Sequence, residues 1–255
     1  MNSIYVIGET CTDKFIYGKS DRISPEAPVV VLKPIIEHSN KGMSGNVVEN
    51  LNDMSNLNVI HIHQETEITK TRYVDKRSNH MFLRVDSGEN VPCDPIKSSD
   101  IEQLDNTNII ISDYDKGFLS NLDIVSIAKS SKFTILDSKK VLDPFIVEHV
   151  DFIKLNEFEA LNNQRLIETY PEKFLITLGM EGTMYNGRIY NSPNPQETID
   201  VSGAGDTFVS AFTLKYLETL DIDESIVFAN EMAAIVVGKK GVSTPTLQKT
   251  KKTKI

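Results

Sequence analysis

Cysteine is scarce: Cys11 and Cys93 are the only two in 255 residues. So few, so far apart, exclude a disulfide framework and a C-x-x-C metal knuckle, and fit a reducing compartment. No apolar run approaches the roughly 20 residues of a membrane span. The opening "MNSIYVIGET" runs straight into a strand pattern, without the basic stretch of a signal peptide. The expectation is a soluble cytoplasmic protein with no membrane partner. Positive charge is also short, with 27 Lys and Arg against 36 Asp and Glu, a formal net charge of -9 and a pI near 5.1. That balance excludes non-specific binding to nucleic acid, whose phosphates reward clustered cations, and leaves small molecules as partners. The basic tail "QKTKKTKI" reads as a solvated end. Neither a G-x-x-x-x-G-K-[ST] phosphate loop nor an early G-x-G-x-x-G fingerprint is present, which argues against a dinucleotide-dependent oxidoreductase.

What is present is a core of α/β size, with 40% hydrophobic and 25% charged residues. Strand-like apolar runs recur as "SIYVIG" from Ser3, "LNVIHI" from Leu57, "NIIIS" from Asn108, "KFTIL" from Lys132, "DFIKL" from Asp151 and "KFLIT" from Lys173. Helical spacing separates several of them. In 120–131, Leu122, Val125, Ile127 and Ala128 form a stripe after Ser120 as N-cap. The alternation predicts a three-layer, doubly wound, mostly parallel α/β sheet. "VVVLKPII" at 29–36, "TKTRYVD" and "HMFLRVD" carry charge at alternate positions and predict a small antiparallel sheet outside the core. Asn186-Gly187 predicts a hairpin over 183–190. Two long helices follow residue 203, the first apolar on almost every side and therefore buried.

The stretch "IDVSGAGDTFVSAF" at 199–212 carries the chemistry. Gly203 and Gly205 let backbone N–H groups approach a ligand, and the start of a helix favours an anion. A carboxylate beside a phosphate is repelled unless it has a proton to take or a metal nearby. Asp206 as general base meets that condition, accepting the proton of an attacking hydroxyl while the amides hold a transferred phosphoryl group. The plainer reading is a helix capped by Ser202, with Asp206 stabilising the dipole.

Asp200-Val201-Ser202-Gly203-Ala204-Gly205-Asp206 resembles the late D-[TV]-[TS]-G-A-G-D signature of the ribokinase-like (pfkB) carbohydrate kinases. "NEFE" at 156–159 matches its N-x-x-E motif, "TLGMEG" at 177–182 its T-L-G-x-x-G, and 228–245 its closing adenine-side helix and loop. "RISPEAPV" from Arg22 and "ISDYDKGFLS" narrow the resemblance to bacterial heptose 7-phosphate kinases. The resemblance implies one kinase domain over 1–255, lid strands near 14–36 and 69–86, no adenylyltransferase domain, and a homodimer formed through the lid. It implies ATP-dependent phosphorylation of the anomeric hydroxyl of D-glycero-D-manno-heptose 7-phosphate, on the way to ADP-heptose for lipopolysaccharide. Asp206 would be the base, with Gly203, Ala204 and Gly205 as the anion hole. Asn156 and Glu159 would hold magnesium through water, and Asp200 a potassium ion. Thr177, Gly179 and Gly182 would line the ATP phosphates and ribose, with Asn230, Gly241 and Ser243 on the adenine side.

On the sugar side the resemblance implies Asp13, Gly42 and Asn46. Lys70, Arg72 and Arg84 alternate on strands and can share one face to hold a substrate phosphate. Asp113, Lys116, Asp137 and Lys139 end strands on the ligand edge of an open sheet. Met43 stands where the family has a second glycine, and is expected to narrow or reshape the sugar pocket. The segment between Asn46 and Lys70 is short for the family. His61 and His63 share a strand face without further metal ligands at usable spacing, so packing or surface roles are expected. The alternatives are a kinase of another sugar or sugar phosphate, and a non-catalytic module that binds nucleotide or sugar phosphate.

Overall fold

The apolar runs become strands and the periodic segments between them helices. A computed structural model describes residues 3–193, 203–238 and 244–245. The strands are β1 (Ser3–Gly8), β2 (Thr10–Ile23), β3 (Val30–Met43), β4 (Asn58–Ile62), β5 (Thr69–Asp75), β6 (Met81–Ser87), β7 (Asn108–Asp113), β8 (Phe133–Ser138), β9 (Phe152–Asn156), β10 (Phe174–Thr177), β11 (Thr183–Tyr185) and β12 (Arg188–Tyr190). The helices are α1 (Ser44–Met54), α2 (Ser98–Glu102), α3 (Asn121–Ser130), α4 (Pro144–His149), α5 (Glu157–Leu161), α6 (Gln164–Thr169), α7 (Ala204–Thr219) and α8 (Ile222–Val237).

Eight strands form one sheet in the order β12-β11-β10-β9-β8-β7-β1-β4. The pairs from β4 to β10 run parallel, and β11 and β12 close the far edge antiparallel. Every residue of β7 and β8 is buried, as continuous apolar strands covered on both faces must be. On one face Ile4, Val6, Ile110 and Ile135 pack against Leu51 of α1, Phe208 and Phe212 of α7 and Ile226 of α8. On the other, Ile7, Ile109, Ile111 and Leu136 meet Ile124 and Ile127 of α3 and Ile146 of α4. These are the three layers that the alternation predicts.

Helix α7 is buried continuously from Asp206 to Thr213. Sinking Phe208 and Phe212 stabilises this layer by roughly 1.5–3 kcal/mol each. Ser120 caps α3 through a reciprocal box with Asp123, as expected. The buried stripe of α3 is Ile124, Val125, Ile127 and Ala128. Leu122 is a correction, because it lies on the outer side at 72% exposure. The hairpin of β11 and β12 turns on Asn186 and Gly187, both at positive φ.

A second sheet has the order β3-β2-β5-β6, and the segments near 14–36 and 69–86 lie in it. Two antiparallel hairpins, β2–β3 and β5–β6, are joined by the parallel pair β2–β5. Among the described residues no helix is long and apolar enough to cross a membrane. The parallel strands β1, β7, β8, β9 and β10 run the same way, and the ends of β8, β9 and β10 meet the start of α7 at one cavity.

Candidate active site

A cavity of about 620 Å³ opens at that edge, with Gly203, Ala204, Gly205 and Asp206 in its wall. Gly203 is the N-cap of α7, with φ 84 in the left-handed region that favours glycine, and no side-chain cap is present. Ser202, the cap of the plainer expectation, lies outside the described residues. Among the described residues the first-turn amides carry no side-chain acceptor, which suits an anion.

Asp206 is 7% exposed and faces this space. Asn46 Nδ2 donates to its Oδ2 at 2.8 Å, and the Tyr114 hydroxyl donates to its Oδ1 at 3.2 Å. No arginine holds it. Burial pushes its carboxyl up to about 6, with the charge of Asp137 adding and the Asn46 bond, Lys154 and Lys139 opposing. Burial, then the Asp206 charge, raises the Tyr114 phenol well above its ordinary range, so it stays a donor. Asn46 lies in the first turn of α1, and Asn50 one turn on donates to its carbonyl and takes the Thr207 hydroxyl at 2.8 Å. A buried polar ladder thus locks α1 to α7.

Tyr114 is itself held by Glu9, which is fully buried just past the end of β1. The Glu9 carboxylate accepts the backbone N–H groups of Tyr114 at 2.8 Å, Lys116 at 2.9 Å and Phe118 at 3.3 Å. The loop after β7 is wrapped on one carboxylate, and that loop aims the phenol at Asp206.

A chain of charges crosses the cavity wall from β8 to β9. Lys154 Nζ lies 3.1 Å from Asp137 Oδ2, both nearly fully buried, and Lys139 pairs with Glu159. The other Asp137 oxygen, Oδ1, is buried without a hydrogen-bond partner among the described residues, with Lys139 Nζ 3.9 Å away. Asn156 and Glu159 form the reciprocal capping box of α5, and each already accepts a backbone N–H of the other. Among the described residues no group of three His, Cys, Asp or Glu side chains is placed to cage a metal. The orphaned Asp137 oxygen beside these oxygen donors nevertheless fits a hydrated magnesium ion, which prefers oxygen and retains water.

Thr177, Gly179, Gly182, Asn156, Asn230, Asp137 and Lys139 line the cavity with Asp206. Asn230 is spent on structure: it accepts the Thr183 hydroxyl at 2.7 Å and donates to the Tyr190 carbonyl at 2.8 Å, tying α8 to the hairpin. Asp200, Gly241 and Ser243 lie outside the described residues. Asp113 is buried and bonded within the protein. It accepts the Ser138 hydroxyl at 2.6 Å and Lys140 Nζ at 3.0 Å, and is not in the cavity wall.

Lys70, Arg72 and Arg84 do share one face of the small sheet, with Arg72 opposite Arg84 and Lys70 two residues before. Each is matched by an acid. Arg72 pairs with Asp13, Lys70 with Glu89 at 3.3 Å, and Arg84 with Asp86 through two bonds of 2.7 Å. Lys116 also reaches Glu89, at 3.0 Å. None of these residues, nor Asp13 or Gly42, lines the cavity of Asp206. Gly42 leaves room for Asp13, because a Cβ there would stand 2.2 Å from Asp13 Oδ2 and displace it.

Met43 does not narrow that cavity: it is 4% exposed and packs in the core with Ile7 and Cys11. Its backbone is held at φ 58 and ψ -136, a conformation costly for a side chain. Met43→Gly is expected to unfold at higher urea than Met43→Ala by about 1 kcal/mol or more, because only glycine relieves the backbone. Equal midpoints would show that the backbone there is unstrained. His61 contacts the Ser44 hydroxyl at 2.8 Å, and burial pushes its ring down to about 3, so it packs as neutral imidazole beside His63. Burial pushes the Cys11 thiol up to about 12, which leaves it without thiolate reactivity.

Lys154, Tyr114 and Glu9 are the site residues that the sequence reading missed. Lys154 carries a signal in hindsight, being a lysine within the otherwise apolar run "DFIKL". Tyr114 sits between Asp113 and Lys116, both singled out. Glu9 carries no comparable mark.

The fold recurs in solved structures. Phosphofructokinase-2 from Escherichia coli in complex with potassium superposes with a TM-score of 0.71 over 95% of this chain and 94% of that one, at 14% identity. Ribokinase from Thermotoga maritima gives 0.67 over 95% of each, at 17% identity. The fold is therefore ribokinase-like. The sequence model of the pfkB family carbohydrate kinases matches residues 41–249, so the chain belongs to that family and is a carbohydrate kinase. The bifunctional protein HldE of Helicobacter pylori strain G27 is 30% identical over 306 aligned residues, covering 97% of this chain and 65% of that protein. HldE of a Nitratiruptor species is 28% identical, covering 96% and 63%. The chain spans just under two thirds of the length of these relatives.

Proposed function

We propose that this kinase transfers the terminal phosphoryl group of ATP to the anomeric hydroxyl of D-glycero-D-manno-heptose 7-phosphate, a step toward ADP-heptose. One observation carries the reading: a buried carboxylate, Asp206, faces the cavity beside uncapped helix amides, with each oxygen held by a neutral donor. Held this way, each oxygen keeps a lone pair for a substrate hydroxyl. Asp206 removes the proton of the attacking hydroxyl, and the amides of Gly203, Ala204 and Gly205 hold the charge on the phosphoryl oxygens. Thr177, Gly179, Gly182 and Asn230 border the nucleotide. Asp137, Asn156 and Glu159 would hold magnesium through water, and that ion, when bound, offsets phosphate charge.

The heptose phosphate is supported by the resemblance to HldE proteins along nearly the whole chain and by the shared face of Lys70, Arg72 and Arg84. A second reading, a kinase of another sugar, is supported by the acid that matches each of those cations. A homodimer through the small sheet is supported by the exposed apolar residues of β6, Met81, Leu83 and Val85.

Phosphorus NMR of ATP with a panel of sugars and sugar phosphates tests both readings. The heptose reading predicts a new anomeric phosphomonoester with heptose 7-phosphate, and transfer only to unphosphorylated sugars would reject it. Arg72→Ala is expected to raise KM for the sugar phosphate about tenfold or more, by loss of a charge-assisted contact, while KM for ATP stays within about twofold. Equal change for both substrates would remove Arg72 from the sugar site.

A further inference from the structure

We propose that Lys154 is a further catalytic residue, whose ammonium binds the terminal phosphoryl group of the nucleotide beside the first amides of α7. The inference rests on the kinase reading above and extends it. Lys154 is on β9, and its side chain is only 4% exposed, yet it lies in the cavity wall with Asp206. Burying an ammonium is costly unless acceptors surround it. Among the described residues Asp137 is the one acceptor that bonds it, at 3.1 Å, although an ammonium has three donors. The remaining donors have no partner among those residues.

A glycine leaves the space that this ammonium occupies. A Cβ built on Gly205 would stand 2.7 Å from Lys154 Nζ and 3.5 Å from its Cε, so any side chain at 205 would displace the lysine. Gly205 therefore keeps the start of α7 open to a cation as well as to an anion. Lys139 differs: its side chain is 35% exposed and is drawn to Glu159 on the outer side of Asp137. Among the described residues Lys154 is the buried cation that stands against the start of α7.

In the transfer, the bond from the terminal phosphorus to the oxygen bridging it to ADP breaks, and its electron pair stays on ADP. The sugar oxygen forms the new bond to phosphorus and gives its proton to Asp206. Lys154 keeps its proton throughout and holds charge on the migrating oxygens.

Titration calorimetry of the full chain with ATP and with ADP tests this. Lys154→Met is expected to weaken ATP about thirtyfold or more while ADP stays within about threefold, and to lower kcat about a hundredfold, as loss of one electrostatic contact does. Lys154→Gln keeps a hydrogen bond to Asp137 and is read in its place if the Met variant does not fold. Equal weakening of ATP and ADP, or neither, with sugar phosphorylation intact in the wild type, overturns the role of Lys154 alone. A wild-type chain that phosphorylates no sugar overturns this inference and the kinase reading together.

Discussion

Replacing Asp206 by Asn is expected to lower turnover between about a hundredfold and ten-thousandfold, with ATP affinity within about twofold of the wild type. The amide has nearly the shape of the acid and can still meet Asn46 and Tyr114, but it cannot take a proton. The same replacement is expected to stabilise the fold. Burial raises the Asp206 carboxyl from 3.8 to about 6, so below the lower value both states are protonated and the group has no effect. Between the two values the folded state holds a proton that the unfolded state has lost, and stability falls as pH rises. Above pH 6 the charged form costs on the order of 3 kcal/mol, which the Asn variant does not bear. A melting comparison at pH 8 and pH 4 checks this: a higher midpoint for the variant at pH 8, converging at pH 4. Wild-type turnover should fall on the acid side of about pH 6, as the base is protonated. Undiminished turnover in the variant would refute the base, and equal midpoints at pH 8 would refute the cost of its burial.

The largest loss of stability is expected from Glu9→Ala. Three backbone N–H groups, of Tyr114, Lys116 and Phe118, share this buried carboxylate. Leaving them without an acceptor costs about 1–3 kcal/mol each, so the total is on the order of 3–9 kcal/mol. Urea denaturation should give a lower midpoint at an unchanged slope. The loop also carries the phenol that orients Asp206, so turnover at a temperature where the variant is folded should fall more than ATP affinity. A loss below about 1 kcal/mol would mean that water or the loop itself replaces the carboxylate.

Much of the architecture is legible in the chain order of residues. Strands such as "NIIIS" and "KFTIL" are buried on both faces, so they read as continuous apolar runs, and local patterning decided their type. The Asn186-Gly187 turn and the Ser120 cap are legible for the same reason, since both act within four residues. Leu122 shows the limit. It fits a helical stripe by spacing, but which edge of that stripe meets the sheet is set by how α3 lies on β7 and β8. The strand ends legible as site residues divide likewise. Asp137 faces the cavity, whereas Asp113, at the register position beside Ser138, is consumed by Lys140 and that serine.

The glycine-aspartate turn, the parallel sheet and the family were determined by sequence alone, because each rests on residues close together in the chain. The environment of Asp206 was decided only by tertiary structure. Asn46 lies 160 residues from it, and Tyr114 lies 92 away. Lys154 reaches Gly205 across a further strand-to-helix gap. Hydrogen bonding, burial and charge act through space over a few ångströms. No local pattern encodes which distant side chains the fold will bring within that range.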